Sequence, residues 1–195
     1  MRYGEAYPLE STWKAMEHCV ELGLTKHIGL SNFNSKQILH IIKNGKIRPA
    51  VLQCESHPYM TQEKLIKFCK DEGITFTAYS PLGSRDRPWA KSDDPSLFDD
   101  SYLKDIAKAK NTSIANILIR YQVQRGVTVL PKSTHKDRIK SNLEVWHFEL
   151  SDEEMRHVGS LNRNWRACLP TVRLADGSIV SRDDKHSFWP FKEEF

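Results

Sequence analysis

Strand-like and helix-like stretches alternate at a steady interval through the first part of this chain. The strand-like stretches lie at about 26–30, 50–55 and 74–79, and they begin near positions 26, 50 and 74. Each is short and rich in apolar residues, and segments with helical spacing separate them. Strands that alternate with helices in this way pair in parallel through right-handed crossovers. The chain is therefore predicted to have an α/β fold built on a parallel sheet.

The helices are predicted from apolar residues at helical spacing and from residues that cap helix N-termini. Ser11 is predicted to cap the first helix, Ser35 to cap the second, and Thr61 to begin the third. Later helices are predicted over 102–110, 113–124 and 153–161, the last from a capping box at 151–154.

Two segments interrupt this alternation. Residues 81–100 are rich in Pro, Asp and Ser and predict a loop. Loops of this length are uncommon unless they act as lids, bind ligands or are disordered. From Asn162 onward the sequence has no periodicity and predicts a tail.

A fourth strand and a basic helix are predicted over 127–142. The apolar residues at 127–130 predict a short buried strand that Pro131 closes. Ser133 or Thr134 is predicted to cap the helix that follows, with Ile139 and Leu143 on its inner face.

The polar residues of this stretch allow two interpretations. Lys132 stands at the end of the strand, and Arg138, Ser141 and Asn142 share one helix face. Two cations beside a helix N-terminus form an anion site, because backbone N–H groups and the helix dipole favour negative charge. The alternative is a solvated basic helix, and on spacing alone this alternative is favoured.

Composition excludes several classes of protein. The length of 195 residues with 39% hydrophobic content predicts one domain over 1–195. The net charge of +4 suits a small anionic ligand, but no dense Lys/Arg run indicates nucleic-acid binding. No apolar run is long enough for a bilayer, so no membrane partner is expected. The four cysteines lack paired spacing and the histidines lack ligand spacing. Reduced thiols, a cytoplasmic location and no metal are therefore predicted.

Two residues at strand ends have alternative roles. Gln53 lies on a strand face where an unpaired buried amide would cost on the order of 1–3 kcal/mol. A bound ligand or a neighbouring strand's side chain would satisfy it. Tyr79 is either a core aromatic residue or a flat surface on which a heterocycle stacks. Spacing does not decide between these roles.

Five motifs together resemble the aldo-keto reductase family, most closely its aldose and aldehyde reductase branch. They are GLSNF at 29–33, QCESHPY at 53–59, AYSPLGS at 78–84, LPKS at 130–133 and NRNW at 162–165. Each is weak alone, but five in the family's order are specific. The resemblance covers about 11–195.

The resemblance implies a partial (β/α)₈ TIM barrel, consisting of strands five to eight with their helices and a C-terminal tail. It also implies NADPH as the cofactor and a small-molecule carbonyl substrate, an aldehyde or ketone that hydride transfer reduces to an alcohol. The implied cofactor-binding residues are Ser31, Asn32 and Gln53 for the nicotinamide carboxamide, Tyr79 for its ring, Ser80, Leu82, Ser84 and Asp86 for the pyrophosphate, Lys132, Ser133 and Arg138 for the 2′-phosphate, and Asn142 for the adenine. The implied substrate-binding residues are Trp89, Trp165 and Cys168.

The sequence departs from the family in three respects. Ser141 stands where close relatives have a glutamate that contacts adenine, and His135 stands where a hydroxyl residue is usual. The family's catalytic Asp, Tyr, Lys and His have no match here, so no catalytic residue is assigned. The chain is accordingly interpreted as an N-terminally truncated reductase domain that is inactive alone.

The alternative is a non-catalytic short isoform or truncated product that binds NADPH weakly at most. The full-length relatives are expected to be monomers. This fragment is expected to associate through the open strand edges and apolar face of a half barrel.

Overall fold

The computed structural model describes residues 8–192. The last residues of the predicted tail, 193–195, and the part of the predicted domain before residue 8 lie outside this range. The helices are α1 Leu9–Glu21, α2 Ser35–Asn44, α3 Glu63–Asp71, α4 Ser101–Ala109, α5 Ile114–Gln124, α6 Lys136–Ser141 and α7 Asp152–Ser160. The strands are β1 Gly29–Ser31, β2 Val51–Glu55, β3 Thr75–Tyr79, β4 Thr128–Leu130, β5 Thr171–Arg173 and β6 Ile179–Ser181.

The first four strands form a sheet in the order β1-β2-β3-β4. Strand β1 pairs in parallel with β2, with Gly29 opposite Val51, and β3 pairs in parallel with β4, with Thr77 opposite Thr128. A side chain at position 29 would come within 2.5 Å of the Val51 carbonyl oxygen, so glycine suits this register. The predicted α/β fold with a parallel sheet is confirmed. Its membership of a TIM barrel stays a prediction.

The described chain consists of two compact units. The first contains residues 8–54, 63–76 and 169–192, and the second contains 55–62 and 77–168. Each strand pairing given above lies within one unit. The prediction of one domain over 1–195 stays a prediction.

The core of the first unit forms where α1 and α2 pack together. Trp13 is buried there with Ile38 and Ile41, and its indole Nε1 donates to the Ile47 carbonyl oxygen at 3.0 Å. The buried carboxylate of Glu17 accepts hydrogen bonds from the backbone N–H groups of Lys46 at 2.6 Å and Ile47 at 2.8 Å. Polar and apolar contacts therefore hold the turn after α2 against α1.

The core of the second unit is built mainly from α4, α5 and the segment that precedes α7. Its most deeply buried members are Leu103, Ile117, Leu118, Tyr121 and Val158. The amphipathic spacing of α4 and α5 buries one face of each helix. Leu82, in the loop after β3, packs against this core.

Two of the predicted helix caps are wrong. The N-cap of α1 is Pro8, with φ −54° and no side-chain hydrogen bond, so Ser11 lies inside the helix. The N-cap of α2 is Asn34, whose side chain accepts from the Gln37 N–H at 2.9 Å. Gln37 in turn accepts from the Asn34 N–H at 3.1 Å, and this reciprocal pair favours Asn34 over the adjacent Ser35.

Other helix starts follow the sequence more closely. Ser151 caps α7 in a capping box with Glu154, as predicted. Ser113 caps α5 by accepting from the Asn116 N–H at 3.1 Å, although it was predicted to be the first helical residue. Helix α3 begins at Glu63, two residues after the predicted Thr61.

The segment predicted to be a tail without periodicity contains two short strands. Strands β5 and β6 pair antiparallel, and the Leu174 N–H donates to the Ser178 carbonyl oxygen at 2.8 Å across the turn. Gly177 lies in the left-handed region with φ +84°. The pair Asp176-Gly177 is a turn signal, but strands of three residues are too short to show alternation. Among the described helices, none is long and apolar enough to cross a membrane.

Candidate functional site

The loop that follows β3 has a strained backbone. Ser80 and Ser84 both lie in the left-handed region, with φ +50° and +46°. Each such non-glycine residue costs on the order of 1 kcal/mol, and the conformation persists where neighbouring contacts fix it. Here the Ser84 hydroxyl donates to the Ser80 Oγ at 2.7 Å, and the Gly83 N–H donates to the Ser80 carbonyl oxygen at 2.9 Å. The two hydroxyl groups are therefore held together beside the end of β3.

The segment after β4 lies nearby but differs from the predicted arrangement. Val127 is buried, but Leu130 is 50% exposed, so the prediction of a buried strand is wrong at its end. Among the described strands, β4 is at the edge of the sheet, which leaves one side without a neighbour. Helix α6 has His135 at its N-cap without a side-chain hydrogen bond, so neither Ser133 nor Thr134 caps it. The Ser133 hydroxyl accepts from the His135 N–H at 3.2 Å.

The apolar stripe predicted for α6 is also wrong. Ile139 is 52% exposed and Leu143 is 72% exposed. Hydrogen bonds hold this segment instead, because the Asn116 side-chain amide donates to the carbonyl oxygens of Ser141 at 2.9 Å and Glu144 at 2.7 Å. Helix α6 has six residues. A helix this short has little dipole, so side chains rather than its N-terminus define the site.

These two segments form a cleft of about 670 Å³. Eight of the predicted cofactor-binding residues line it, namely Ser80, Leu82, Ser84, Asp86, Lys132, Ser133, Arg138 and Asn142. Two lining residues that the sequence analysis did not identify are Arg85 and Phe98. Arg85 adjoins Asp86, whereas nothing in the local sequence distinguishes Phe98. The cleft belongs entirely to the second unit.

The charged side chains of the cleft suit an anion. Neither Lys132 nor Arg138 forms an ion pair with any residue between 8 and 192. Lysine and arginine without carboxylate partners are available to a phosphate, and arginine can contact it with two parallel hydrogen bonds. The hydroxyl groups of Ser80, Ser84 and Ser133 also line the cleft.

The other predicted cofactor-binding residues lie elsewhere. Ser31, Asn32 and Gln53 lie together in the first unit, where the Asn32 N–H donates to the Gln53 carbonyl oxygen at 3.0 Å. Asn32 also has a left-handed backbone, with φ +57°. Tyr79 ends β3 opposite Leu130 and is half-buried, but it does not line the cleft. That these residues share one cofactor with the cleft stays a prediction.

The three predicted substrate-binding residues lie around one loop. The Trp89 indole Nε1 donates to the Ala167 carbonyl oxygen at 2.9 Å. The Cys168 Sγ lies 3.3 Å from the Ser80 Oγ and 3.7 Å from the Ser84 Oγ. Trp165 lines a separate cavity of about 240 Å³, where the Arg87 guanidinium lies 5.2 Å from its ring centroid.

The residues around this loop give no sign of a metal site. Among residues 8–192, no group of three His, Cys, Asp or Glu side chains is placed to hold a metal ion.

Burial raises the pKa of the Tyr59 hydroxyl above its usual value, although the Arg163 guanidinium lies 4.3 Å from its ring centroid. Tyr59 is therefore a neutral packing residue at physiological pH. Its hydroxyl donates to the Ser96 carbonyl oxygen at 3.3 Å.

Comparison with known proteins agrees with the motifs. The model of the aldo/keto reductase family matches residues 2–163. The chain belongs to the aldo/keto reductase family. The family resemblance inferred from the five motifs is thus confirmed.

Individual members of the aldo/keto reductase family match over most of the chain. Aldo-keto reductase family 1 member A1 of Gallus gallus is 48% identical over 195 residues, which is all of this chain and 59% of the relative. The protein of the same name from Xenopus tropicalis is 48% identical over 95% of this chain and 57% of the relative. Aldo-keto reductase family 1 member A1-A of Danio rerio is 50% identical over 94% and 56%. The chain thus spans less than two thirds of these relatives.

Proposed function

We propose that this chain is the cofactor-binding part of an NADPH-dependent reductase that converts aldehydes or ketones to alcohols. The observation that carries the proposal is the cleft of about 670 Å³, which brings eight cofactor-binding candidates from two separate segments together. When bound, NADPH supplies the hydride for such a reduction. The residues of this chain would bind and orient it.

The part of the cleft lined by Lys132 and Arg138, here called the basic wall, would hold the 2′-phosphate that distinguishes NADPH from NADH. Lys132 contributes a mobile point charge, and Arg138 contributes a planar donor group. Each charge-assisted hydrogen bond to the phosphate is worth about 1.5–3 kcal/mol before screening. Ser133 also lines the cleft and adds a hydroxyl donor. Asn142 would face the adenine.

The part of the cleft that the loop after β3 lines would lie along the pyrophosphate. Ser80 and Ser84 have hydroxyl groups that their left-handed backbone conformations hold in place. Leu82 and Asp86 line the same wall, where Arg85 adds a cation. The 81–100 loop would then act as a belt over this part of the cofactor.

A further group of residues is assigned to the nicotinamide end of the cofactor. Ser31, Asn32 and Gln53 carry the hydroxyl and amide groups that would hold the carboxamide, and the Tyr79 ring would stack on the nicotinamide. Trp89, Trp165 and Cys168 would contact the carbonyl substrate. The loop at 165–168 carries Trp165 and Cys168, and its Ala167 carbonyl oxygen accepts a hydrogen bond from Trp89. This assignment rests on the matched motifs.

We further propose that the sequence corresponds to the second half of a (β/α)₈ barrel. The proton donor and its activating residues would then come from outside the matched motifs, and this chain alone would not reduce carbonyls.

Four cysteines without a disulfide among the described residues suit a cytoplasmic location. Leu24, Leu143 and Trp146 are 73%, 72% and 69% exposed, which favours association of the chain expressed alone.

A chimaera tests the proposed function. The first half of the Gallus gallus relative would be joined ahead of this chain, and oxidation of NADPH with an aromatic aldehyde would be followed by absorbance. We expect turnover by the chimaera and none by the chain alone, because positioned acid catalysis contributes about 10²–10⁴-fold. Robust turnover by the chain alone would show that the acid lies within it. A folded chimaera that fails to bind NADPH would contradict the cofactor assignment.

A further inference from the structure

The carboxylate of Glu55 is fully buried in the second unit and accepts three hydrogen bonds. The backbone N–H of Ala167 donates to its Oε1 at 2.6 Å, and the backbone N–H of Cys168 donates to its Oε2 at 3.1 Å. The His57 ring Nε2, also fully buried, lies 3.0 Å from the same Oε1. A buried carboxylate requires such partners, so these donors are what make its burial possible.

The His57 ring depends on this arrangement for its position. Its other nitrogen, Nδ1, is buried without a hydrogen-bond partner in the described part of the chain. The ring packs against Trp165, with centroids 6.0 Å apart, and against Tyr59 at 6.5 Å. Glu55 therefore contacts the 165–168 loop through its backbone, and His57 contacts it through the Trp165 ring.

The same loop reaches the wall of the cleft through Cys168. Its Sγ lies 3.3 Å from the Ser80 Oγ and 3.7 Å from the Ser84 Oγ, and both serines line the cleft. Cys168 thus connects the Glu55 carboxylate, through its backbone N–H, with the two serine hydroxyls, through its thiol. These serines have left-handed backbones that need support from their surroundings.

We propose that Glu55 is a positioning residue that fixes the 167–168 backbone and, through the Cys168 thiol, the serine wall of the cleft. The inference rests on the proposed function in one respect, since it takes the cleft to be the NADPH site. Glu55 itself does not line the cleft. Loss of its role would therefore appear as more frequent opening of the 165–168 loop and as weaker NADPH binding.

Replacing Glu55 with glutamine is the direct test. Glutamine has nearly the same shape, but its NH₂ group would meet the N–H of Ala167 or Cys168, donor against donor. We expect Glu55→Gln to raise the rate at which iodoacetamide modifies Cys168 by about tenfold or more. In the variant, local opening of the loop no longer has to break a charge-assisted hydrogen bond. NADPH affinity should fall by about the same factor. Peptide mass spectrometry resolves Cys168 from Cys19, which serves as an internal reference.

Glu17→Gln is the matched control. Glu17 is also a buried glutamate that accepts two backbone N–H groups, but it lies in the first unit and holds the turn at Lys46 and Ile47. It should lower the free energy of unfolding without accelerating Cys168 modification. If the two variants are equally destabilised and Cys168 reacts at the wild-type rate in both, Glu55 is only a structural residue and the proposal is overturned.

Amide hydrogen exchange on the unmodified chain needs no variant to fold. We expect the Ala167 and Cys168 amides to be strongly protected although they belong to a loop, and unprotected amides there would overturn the proposal. Neither exchange nor thiol modification requires cofactor. Protected amides and a faster Cys168 in Glu55→Gln, in a chain that binds no NADPH, would refute the proposed function while upholding the positioning of the loop.

Discussion

The buried side-chain amide of Asn116 in α5 donates a 2.9 Å hydrogen bond to the carbonyl oxygen of Ser141, the last residue of α6. Its second donated bond reaches the Glu144 carbonyl oxygen at 2.7 Å. Helix α6 buries none of its own residues. One polar side chain therefore links the basic wall of the cleft to the core of the second unit.

Removing this link should loosen the basic wall. We expect Asn116→Ala to lower the free energy of unfolding by about 1–3 kcal/mol, because it removes two hydrogen bonds that are worth about 0.5–1.5 kcal/mol each. It should also weaken NADPH binding, since Arg138 and Asn142 would lose their fixed positions. Urea denaturation and fluorescence titration measure the two effects. Asn44→Ala is the control, because Asn44 is exposed and bonds locally to the His40 carbonyl oxygen. Unchanged NADPH affinity in Asn116→Ala would contradict this account.

Arg138 should distinguish the two nicotinamide cofactors. We expect Arg138→Met to weaken NADPH binding by about tenfold or more, because a charge-assisted contact to the 2′-phosphate is lost. NADH binding should hardly change, and added salt should shrink the preference of the wild-type chain for NADPH. Fluorescence titration with both cofactors measures this. Lys136→Met is the matched control, an exposed cation on the same helix that does not line the cleft. Equal loss of both cofactors in Arg138→Met would mean that the residue supports α6 instead.

Glu154 should make stability depend on acid pH. Burial tends to raise the pKa of its carboxyl, but the hydrogen bond from the Ser151 N–H and the Lys110 ammonium at 3.1 Å lower it below the ordinary value of 4.5. A lowered pKa stabilises the folded state above 4.5, and this contribution is lost as the pH falls through the lower folded value. Glu154→Gln should therefore have a lower free energy of unfolding than wild type at pH 7. The difference in free energy between the two should become smaller below pH 4.5. Urea denaturation across this range tests the sign.

Cys69 should behave as an inert buried thiol. Burial, with a smaller contribution from the nearby Cys54, raises its pKa from 9.0 to about 12. Because the folded pKa is raised, its contribution to stability is complete below pH 9 and is lost as the pH rises from 9 towards 12. At pH 8 a thiol reagent should modify the half-buried Cys19 and Cys168 in the native chain and leave Cys54 and Cys69 intact. Rapid modification of Cys69 below the unfolding transition would contradict this placement.

The elements that local sequence determines were predictable. Alternating strands and helices gave the parallel sheet, and the box formed by Ser151 and Glu154 gave α7. Choices between adjacent candidates were not predictable, because Asn34 and Ser35 both favour an N-cap and only the reciprocal bond with Gln37 decides between them. The exposure of Ile139 was missed for a different reason. Helical spacing identifies an apolar face, but not whether a neighbour covers it.

The cleft combines residues that are far apart in sequence, and spacing alone did not decide its role. Lys132 and Arg138 suited either an anion site or a solvated helix. The feature that spacing could not supply is a long-range one, because their segment lines the same cleft as Ser80 and Ser84. The contacts of Glu55 with Ala167 and Cys168 were equally out of reach, because more than 100 residues separate the partners.

The location of bound NADPH tests the central claim most directly. Amide hydrogen exchange of the chain would be measured with and without saturating NADPH, and in parallel with NADH at the same concentration. We predict slower exchange at 80–86 and 132–142 with NADPH, and a smaller effect with NADH at 132–142. No protection in either segment, or equal protection by both cofactors, would contradict the assignment of this cleft as the NADPH site.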